Sequence, residues 1–84
     1  DPTAYTTLNG KRTKIWKSAV VDGQTPLEPG VIVEKTKHQL QIAAGGGSIL
    51  EILELQPAGK PRQAITDYLN GAGQALKIGQ KVIN

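Results

Sequence analysis

The sequence has 84 residues, of which 38% are hydrophobic, and it contains no cysteine, phenylalanine or methionine. The absence of cysteine excludes a disulfide framework and a Cys-ligated zinc site, and no apolar run reaches the ~20 residues of a membrane-spanning helix. The net charge of +3 favours an anionic partner. The length suits one domain with a small core of Ile, Leu, Val and Ala. The first residue is Asp1, which indicates a fragment or a processed piece.

The first half of the chain has the pattern of short β-strands joined by turns. Asn9-Gly10 between β-forming residues indicates a hairpin. Residues 11–21 follow as a long predicted strand, and because neither of its faces is cleanly apolar, the pattern favours a bulge. Residues 31–33 and 40–43 are the next predicted strands, and the three consecutive glycines at 45–47 predict a chain reversal.

The second half combines one ambiguous segment with one helix signal. The apolar residues of 49–56 fit a helical stripe nearly as well as a strand, although the flanking turn residues favour a strand. Pro61 suits the first position of a short amphipathic helix that stops at Asn70-Gly71, and residues 81–83 predict a closing edge strand. The sequence therefore predicts a mainly β fold, a small OB-like β-barrel of five to six strands with one short α-helix.

Catalytic chemistry is not indicated by the sequence. His38 is the only histidine, and its position in a predicted turn favours a solvated side chain over a general base. No residues show the spacing of metal ligands, and the glycines lack the Gly-Lys-Ser/Thr sequence of a phosphate-binding loop. Glu51 and Glu54 are expected to be solvated. We predict no catalytic residue and no metal site in this chain.

The basic residues indicate nucleic-acid binding. Four cations fall close together on the predicted strand 11–21 and flank a tryptophan, which suits phosphate contacts with some stacking, although lysines that prevent edge pairing would give the same pattern. Two further cations flank the proline at the predicted helix start, where free N–H groups attract anions. Solvated side chains explain that pair equally well. The predicted nucleic-acid-binding residues are Lys11, Arg12, Lys14, Trp16, Lys17, Lys60 and Arg62.

Several motifs, in the right order, resemble the C-terminal domain of the methionyl-tRNA formyltransferase family. Residues 55–60, LQPAGK, are similar to that family's LQPxGK turn, and residues 64–71 are similar to its short helix ending in dfLnG, with Tyr68 in place of Phe. One departure is that the family's glycine turn commonly carries an acidic residue, which residues 45–47 lack. The other matches are Lys14-Ile15-Trp16, Pro29-Gly30, the glycine turn before Ile49, and Gly79.

The resemblance implies a function for the whole of residues 1–84 as one domain. It implies an OB-like barrel in which residues 49–56 form a strand. This barrel would help hold initiator methionyl-tRNA by contacts to the backbone of the tRNA, and the seven predicted binding residues would then be tRNA-binding residues. The catalytic Rossmann-like domain, absent from this chain, would transfer a formyl group from 10-formyltetrahydrofolate, and this domain would hold no cofactor. The implied partners are initiator tRNA and the N-terminal catalytic domain, with no membrane, and the implied state is a cytoplasmic monomer.

Two alternatives to this interpretation belong to other functional classes. One is a non-catalytic structural barrel that only joins neighbouring domains in another multidomain formyl-transferring enzyme, acting on folate or a nucleotide sugar. The other is a free-standing OB-like interaction module. Binding of tRNA to the isolated domain distinguishes the tRNA-binding interpretation from the structural barrel. In a tRNA-binding domain the basic residues on the strand 11–21 would contact phosphates, whereas in a structural barrel they would face solvent.

Overall fold

The computed structural model describes residues 4–83 and is organised around one antiparallel sheet. One short helix, α1, spans Ile65–Asn70, and short 3-10 turns span Gly45–Gly47 and Ala72–Ala75. The predicted mainly β fold with one short helix is confirmed. The strands are β1 (Ala4–Leu8), β2 (Lys11–Val21), β3 (Ile32–Lys35), β4 (Leu40–Ala43), β5 (Ile49–Pro57) and β6 (Gln63–Ala64).

Strand β5 is the centre of the sheet. The strand order is β1-β2-β5-β4-β3, and β6 also pairs with β5. One edge of β5 pairs with β2 along nearly its whole length, while its other edge pairs first with β4 and then with β6. The ambiguous residues 49–56 are therefore strand, because both edges of this segment find backbone partners in the sheet.

The end of the chain connects the two outer strands of the sheet. Ile83 forms an isolated bridge with Leu8 of β1, and Lys81 forms another with Val31, which precedes β3. The closing strand predicted at 81–83 is thus reduced to single bridges. Because the ladder between β1 and β3 is not continuous, the sheet remains open and the molecule is a barrel only approximately.

The core lies between the sheet and α1. Ile52 and Leu55 of β5 are fully buried, and α1 contributes Ile65, Tyr68 and Leu69 to the same cluster. Burial of each large apolar side chain stabilises the fold by about 1.5–3 kcal/mol. The clustered residues are Leu8, Ile15, Ile32, Leu40, Ile42, Ile52, Leu55, Ile65, Tyr68, Leu69, Leu76 and Val82.

Two of the predicted turns are confirmed. Asn9 and Gly10 have φ values of 52° and 81°, and they join β1 to β2 as the Asn-Gly signal predicts. The glycines of Gly45–Gly47 reverse the chain between β4 and β5. Local turn chemistry therefore accounts for two of the connections in the sheet.

The predicted helix start at Pro61 is wrong. Helix α1 begins at Ile65, and the preceding Ala64 has extended backbone angles, with φ −68° and ψ 151°. The chain remains extended beyond the proline because β6 pairs with the end of β5 before the helix begins. Lys60 and Arg62 consequently do not flank a helix N-terminus, and the argument for an anion site at that helix start is lost.

Candidate nucleic-acid interface

Basic and aromatic side chains lie together on the exposed face of the β1–β2 hairpin. The hairpin register places Tyr5 directly opposite Lys14, and Thr7 opposite Arg12. Directly opposed residues project from the same face of a sheet. The guanidinium carbon of Arg12 lies 4.5 Å from the centroid of the Tyr5 ring, and Lys14 Nζ lies 5.5 Å from the same centroid. One tyrosine ring therefore contacts two cations.

A second aromatic ring extends this arrangement. Lys14 Nζ lies 4.0 Å from the ring centroid of Trp16, and the guanidinium carbon of Arg62 lies 4.3 Å from it. Each such contact is worth about 0.5–1 kcal/mol at an exposed site. We refer to these five side chains as the cation–aromatic row, which runs in the order Arg12, Tyr5, Lys14, Trp16, Arg62.

A bulge in β2 positions the middle of the row. The pairing of β2 with β5 passes from Ile15 opposite Leu55 to Lys17 opposite Glu54, so Trp16 is an extra residue on β2. The predicted bulge is thus confirmed. Because a bulge interrupts the strict alternation of faces, the neighbouring side chains of Trp16 and Lys17 both reach partners on β5.

Glu54 joins two of the predicted binding residues. Its carboxylate lies 3.1 Å from Lys17 Nζ and 2.7 Å from Arg62 Nη2, and it accepts a hydrogen bond from Arg62 Nε at 2.8 Å. The hydrogen bonds from Arg62 and Lys17 hold the pKa of Glu54 below its usual value of 4.5, and Arg62 has the larger effect. The side chain of Glu54 keeps the solvent exposure expected of it in part, at 26%, and is in addition paired with two cations, which the sequence did not predict.

The turn after β5 supports the row from one side. Trp16 Nε1 donates a hydrogen bond of 3.0 Å to Gln56 Oε1, and Gln56 Nε2 donates one of 3.1 Å to the carbonyl oxygen of Lys60. A depression of about 300 Å³ opens between the row and this turn. Its lining residues include Arg12 and Lys14 on one side and Gly59 on the other, so its wall carries positive charge.

The remaining predicted residues lie apart from the row. Lys11 and Lys60 line a separate cavity of about 250 Å³ at the end of the β1–β2 hairpin. Asp67 and Tyr68 of α1 line the same cavity, and burial raises the pKa of the Tyr68 hydroxyl above its usual value of 10.0. The carboxylate partly offsets the charge of the two lysines.

Residues 4–83 offer neither a grouped set of metal ligands nor a membrane-spanning helix. No three His, Cys, Asp or Glu side chains there are grouped so that they could hold a metal ion, and no helix there combines the length and the apolar character needed to cross a membrane. His38 lies exposed between β3 and β4, where its backbone N–H donates to the Thr36 hydroxyl. Glu51 accepts a hydrogen bond of 3.1 Å from Gln41.

Comparison with known proteins places the chain in a family. Residues 1–73 match the family described as formyl transferase, C-terminal domain. The chain belongs to this family. It is 53% identical over 83 residues to the methionyl-tRNA formyltransferase of Pediococcus pentosaceus, covering 99% of the chain and 26% of that protein. It is also 53% identical over 81 residues to the one from Levilactobacillus brevis, covering 96% of the chain and 26% of that protein.

The match covers only part of these relatives. With the methionyl-tRNA formyltransferase of Lactiplantibacillus plantarum the identity is 50% over 84 residues, covering 99% of the chain and again 26% of that protein. The chain therefore spans about a quarter of the length of the curated relatives it matches. The resemblance to the C-terminal domain of methionyl-tRNA formyltransferase is confirmed.

Four of the five residues of the row in this formyl transferase C-terminal domain are among the predicted binding residues, whereas Tyr5 of the row and Glu54 beside it are not. Tyr5 was missed because its contacts depend on the register of the hairpin, and no local motif marks it. Glu54 was missed because its partners come from β2 and from the segment before β6. Of the predicted residues, the structure brings together Arg12, Lys14, Trp16 and Arg62, joins Lys17 to them through Glu54, and places Lys11 and Lys60 elsewhere.

Proposed function

We propose that this chain is the tRNA-binding domain of a methionyl-tRNA formyltransferase and helps hold initiator methionyl-tRNA through its phosphate backbone. The observation that best supports this proposal is the cation–aromatic row, in which three cations share one exposed face. Contacts from Arg and Lys to phosphates orient a protein on a nucleic acid without reading its sequence. The name of the related proteins supplies methionyl-tRNA as the anionic partner.

The proposal assigns the chemical step to a part of the enzyme outside this chain. An N-terminal catalytic domain would transfer the formyl group from 10-formyltetrahydrofolate to the methionyl amine. We assign no residue of this chain to that cofactor or to a metal. The domain would work as a monomer beside its catalytic domain, in the cytoplasm, and would add binding free energy by holding the tRNA body.

A salt titration tests the proposal. Initiator tRNA is titrated into the wild-type chain and into the Arg12→Ala/Lys14→Ala variant at low and at high salt. The slope of log K against log salt is negative, and each lost phosphate contact reduces its magnitude by about 0.7–0.9. Between about 50 and about 200 mM salt the wild type should therefore lose roughly tenfold more affinity than the double variant.

A matched control separates position from net charge. Lys37 and Lys77 are exposed and lie outside the row, so Lys37→Ala/Lys77→Ala removes the same charge elsewhere. We expect this control to bind tRNA within about twofold of the wild type. Equal losses in both variants would mean that net charge alone governs binding. Unchanged binding in the row variant would favour the structural barrel instead.

A further inference from the structure

Each aromatic ring of the row lies against two cations of the same chain. Arg12 and Lys14 share the ring of Tyr5 at 4.5 and 5.5 Å, and Lys14 and Arg62 share the ring of Trp16 at 4.0 and 4.3 Å. Two cations over one ring cannot be farther apart than the sum of their distances to its centroid. The rings therefore limit the spacing of all three cations along the row.

The rings and the last cation are themselves held by the sheet. The Trp16 indole donates a hydrogen bond to Gln56, which lies opposite Lys14 on β5. Tyr5 lies opposite the same lysine on β1. Arg62 is held by Glu54 as well as by the indole. Because these cations already have fixed surroundings, they lose less side-chain freedom on meeting a phosphate.

This arrangement is unlike that of proteins that bind single strands. Such proteins offer open aromatic faces on which successive bases stack. Here a base that stacks on the face covered by Lys14 or Arg62 would have to displace that cation and lose its attraction to the ring. The rings are thus better suited to spacing cations than to receiving bases.

We propose that Tyr5 and Trp16 are positioning residues, which hold Arg12, Lys14 and Arg62 as a fixed row for the phosphate backbone of double-helical RNA. A duplex presents its phosphates at regular positions, and proteins recognise it mainly by its shape and by phosphate and 2′-OH contacts. A row of cations whose spacing is limited suits contacts to such a surface. This inference rests on the proposed tRNA-binding function and specifies which part of an RNA the row contacts.

Tryptophan fluorescence tests the inference directly, because Trp16 is the only tryptophan in the chain. The wild-type chain is titrated with an RNA hairpin and with an unstructured uridine oligonucleotide of equal length. We expect the hairpin to bind at least about fivefold more tightly, with little change in emission, because no base stacks on the indole. Tighter binding of the oligonucleotide, or its strong quenching of the emission, would overturn the inference.

Two substitutions test the role of the indole. Trp16→Leu retains every charge but removes the ring, and Trp16→Phe restores a ring. We expect Trp16→Leu to weaken hairpin binding about threefold or more without changing the salt slope, and Trp16→Phe to recover most of the affinity. Thermal unfolding of each variant checks that it is folded, and the two titrations of the wild-type chain keep the inference testable if the leucine variant is not.

The outcomes separate this inference from the function on which it rests. If the Arg12→Ala/Lys14→Ala variant loses affinity for tRNA but Trp16→Leu binds the hairpin as the wild type does, only the positioning role is overturned. If no RNA binds to the wild-type chain, the proposed function and this inference both fail.

Discussion

The guanidinium of Arg62 lies over the indole of Trp16, with 4.3 Å between its central carbon and the ring centroid. Two of its nitrogens also contact Glu54. The contact holds the extended segment after the turn against β2, although the two residues are far apart in sequence. An arginine has five N–H donors, so Arg62 keeps donors for a phosphate while it is held by the ring and the carboxylate.

The paired carboxylate predicts a pH-dependent stability. The pKa of Glu54 is below 4.5 in the folded chain, so its ion pairs stabilise the fold at and above that value, and this stabilisation is lost as the pH falls through the lowered pKa. Glu54→Gln should therefore lower the Tm at neutral pH, and the difference from the wild type should close as the pH falls below 4.5 and through the lowered pKa. Thermal unfolding by circular dichroism across this range measures the difference. A gap that persists in acid would mean that the charge is not its cause.

Replacement of Arg62 tests whether its shape matters in addition to its charge. Arg62→Ala should weaken tRNA binding about three- to tenfold, because it removes one cation of the row. Arg62→Lys keeps the charge but loses the planar fork that contacts both the ring and Glu54, so we expect an affinity between those of the wild type and the alanine variant. Equilibrium titration at one salt concentration compares them. Wild-type affinity in the lysine variant would show that a point charge is sufficient.

Much of the fold could be predicted because its turns depend on local chemistry. Asn9-Gly10 specifies a hairpin through the positive φ that both residues adopt. The helix start could not be predicted in the same way. Pro61 has a local preference for the first helical position, but the pairing of β6 with β5 is a tertiary contact that keeps the chain extended, and it outweighs that preference.

The site was predictable from strand geometry only where one strand contains it, whereas Arg62 was predicted from a helix start that does not form. The alternation of side chains along a strand is enough to place Arg12, Lys14 and Trp16 on one face of β2. The contributions of Tyr5 and Glu54 depend on the pairing of β2 with β1 and β5, and the bulge at Trp16 changes the pairing with β5 locally, at Lys17 and Glu54. A pattern within a single strand carries no information about such cross-strand partners.

The packing of residues 81–83 against Gly30 predicts that substitution of this glycine destabilises the fold. Gly30 has a φ of +93°, and an added Cβ would collide with the carbonyl oxygen of Ile83. Its own carbonyl accepts hydrogen bonds from Val82 and Ile83. Gly30→Ala should therefore lower the free energy of unfolding by about 1–3 kcal/mol, as measured by urea denaturation.

A second glycine provides the control for that measurement. An added Cβ at Gly45 meets no atom within 4 Å, and the backbone there is not left-handed. Gly45→Ala should leave the stability unchanged or raise it by about 0.4–1 kcal/mol. Similar losses at both positions would show that the junction between Gly30 and the chain end does not contribute specifically to stability.

The two predicted lysines outside the row, Lys11 and Lys60, test how far the RNA-binding surface of the protein extends. Lys11 and Lys60 line the cavity at the end of the hairpin together with Asp67, whose charge opposes theirs, and neither has a cation–π contact among the described residues. Lys11→Ala/Lys60→Ala should therefore weaken tRNA binding less than about threefold, against a larger loss for Arg12→Ala/Lys14→Ala, which removes the same charge. Titrations of both variants at two salt concentrations give the affinities and the slopes. Equal losses would extend the interface from the row to the end of the hairpin, because phosphates would then contact both faces of β2.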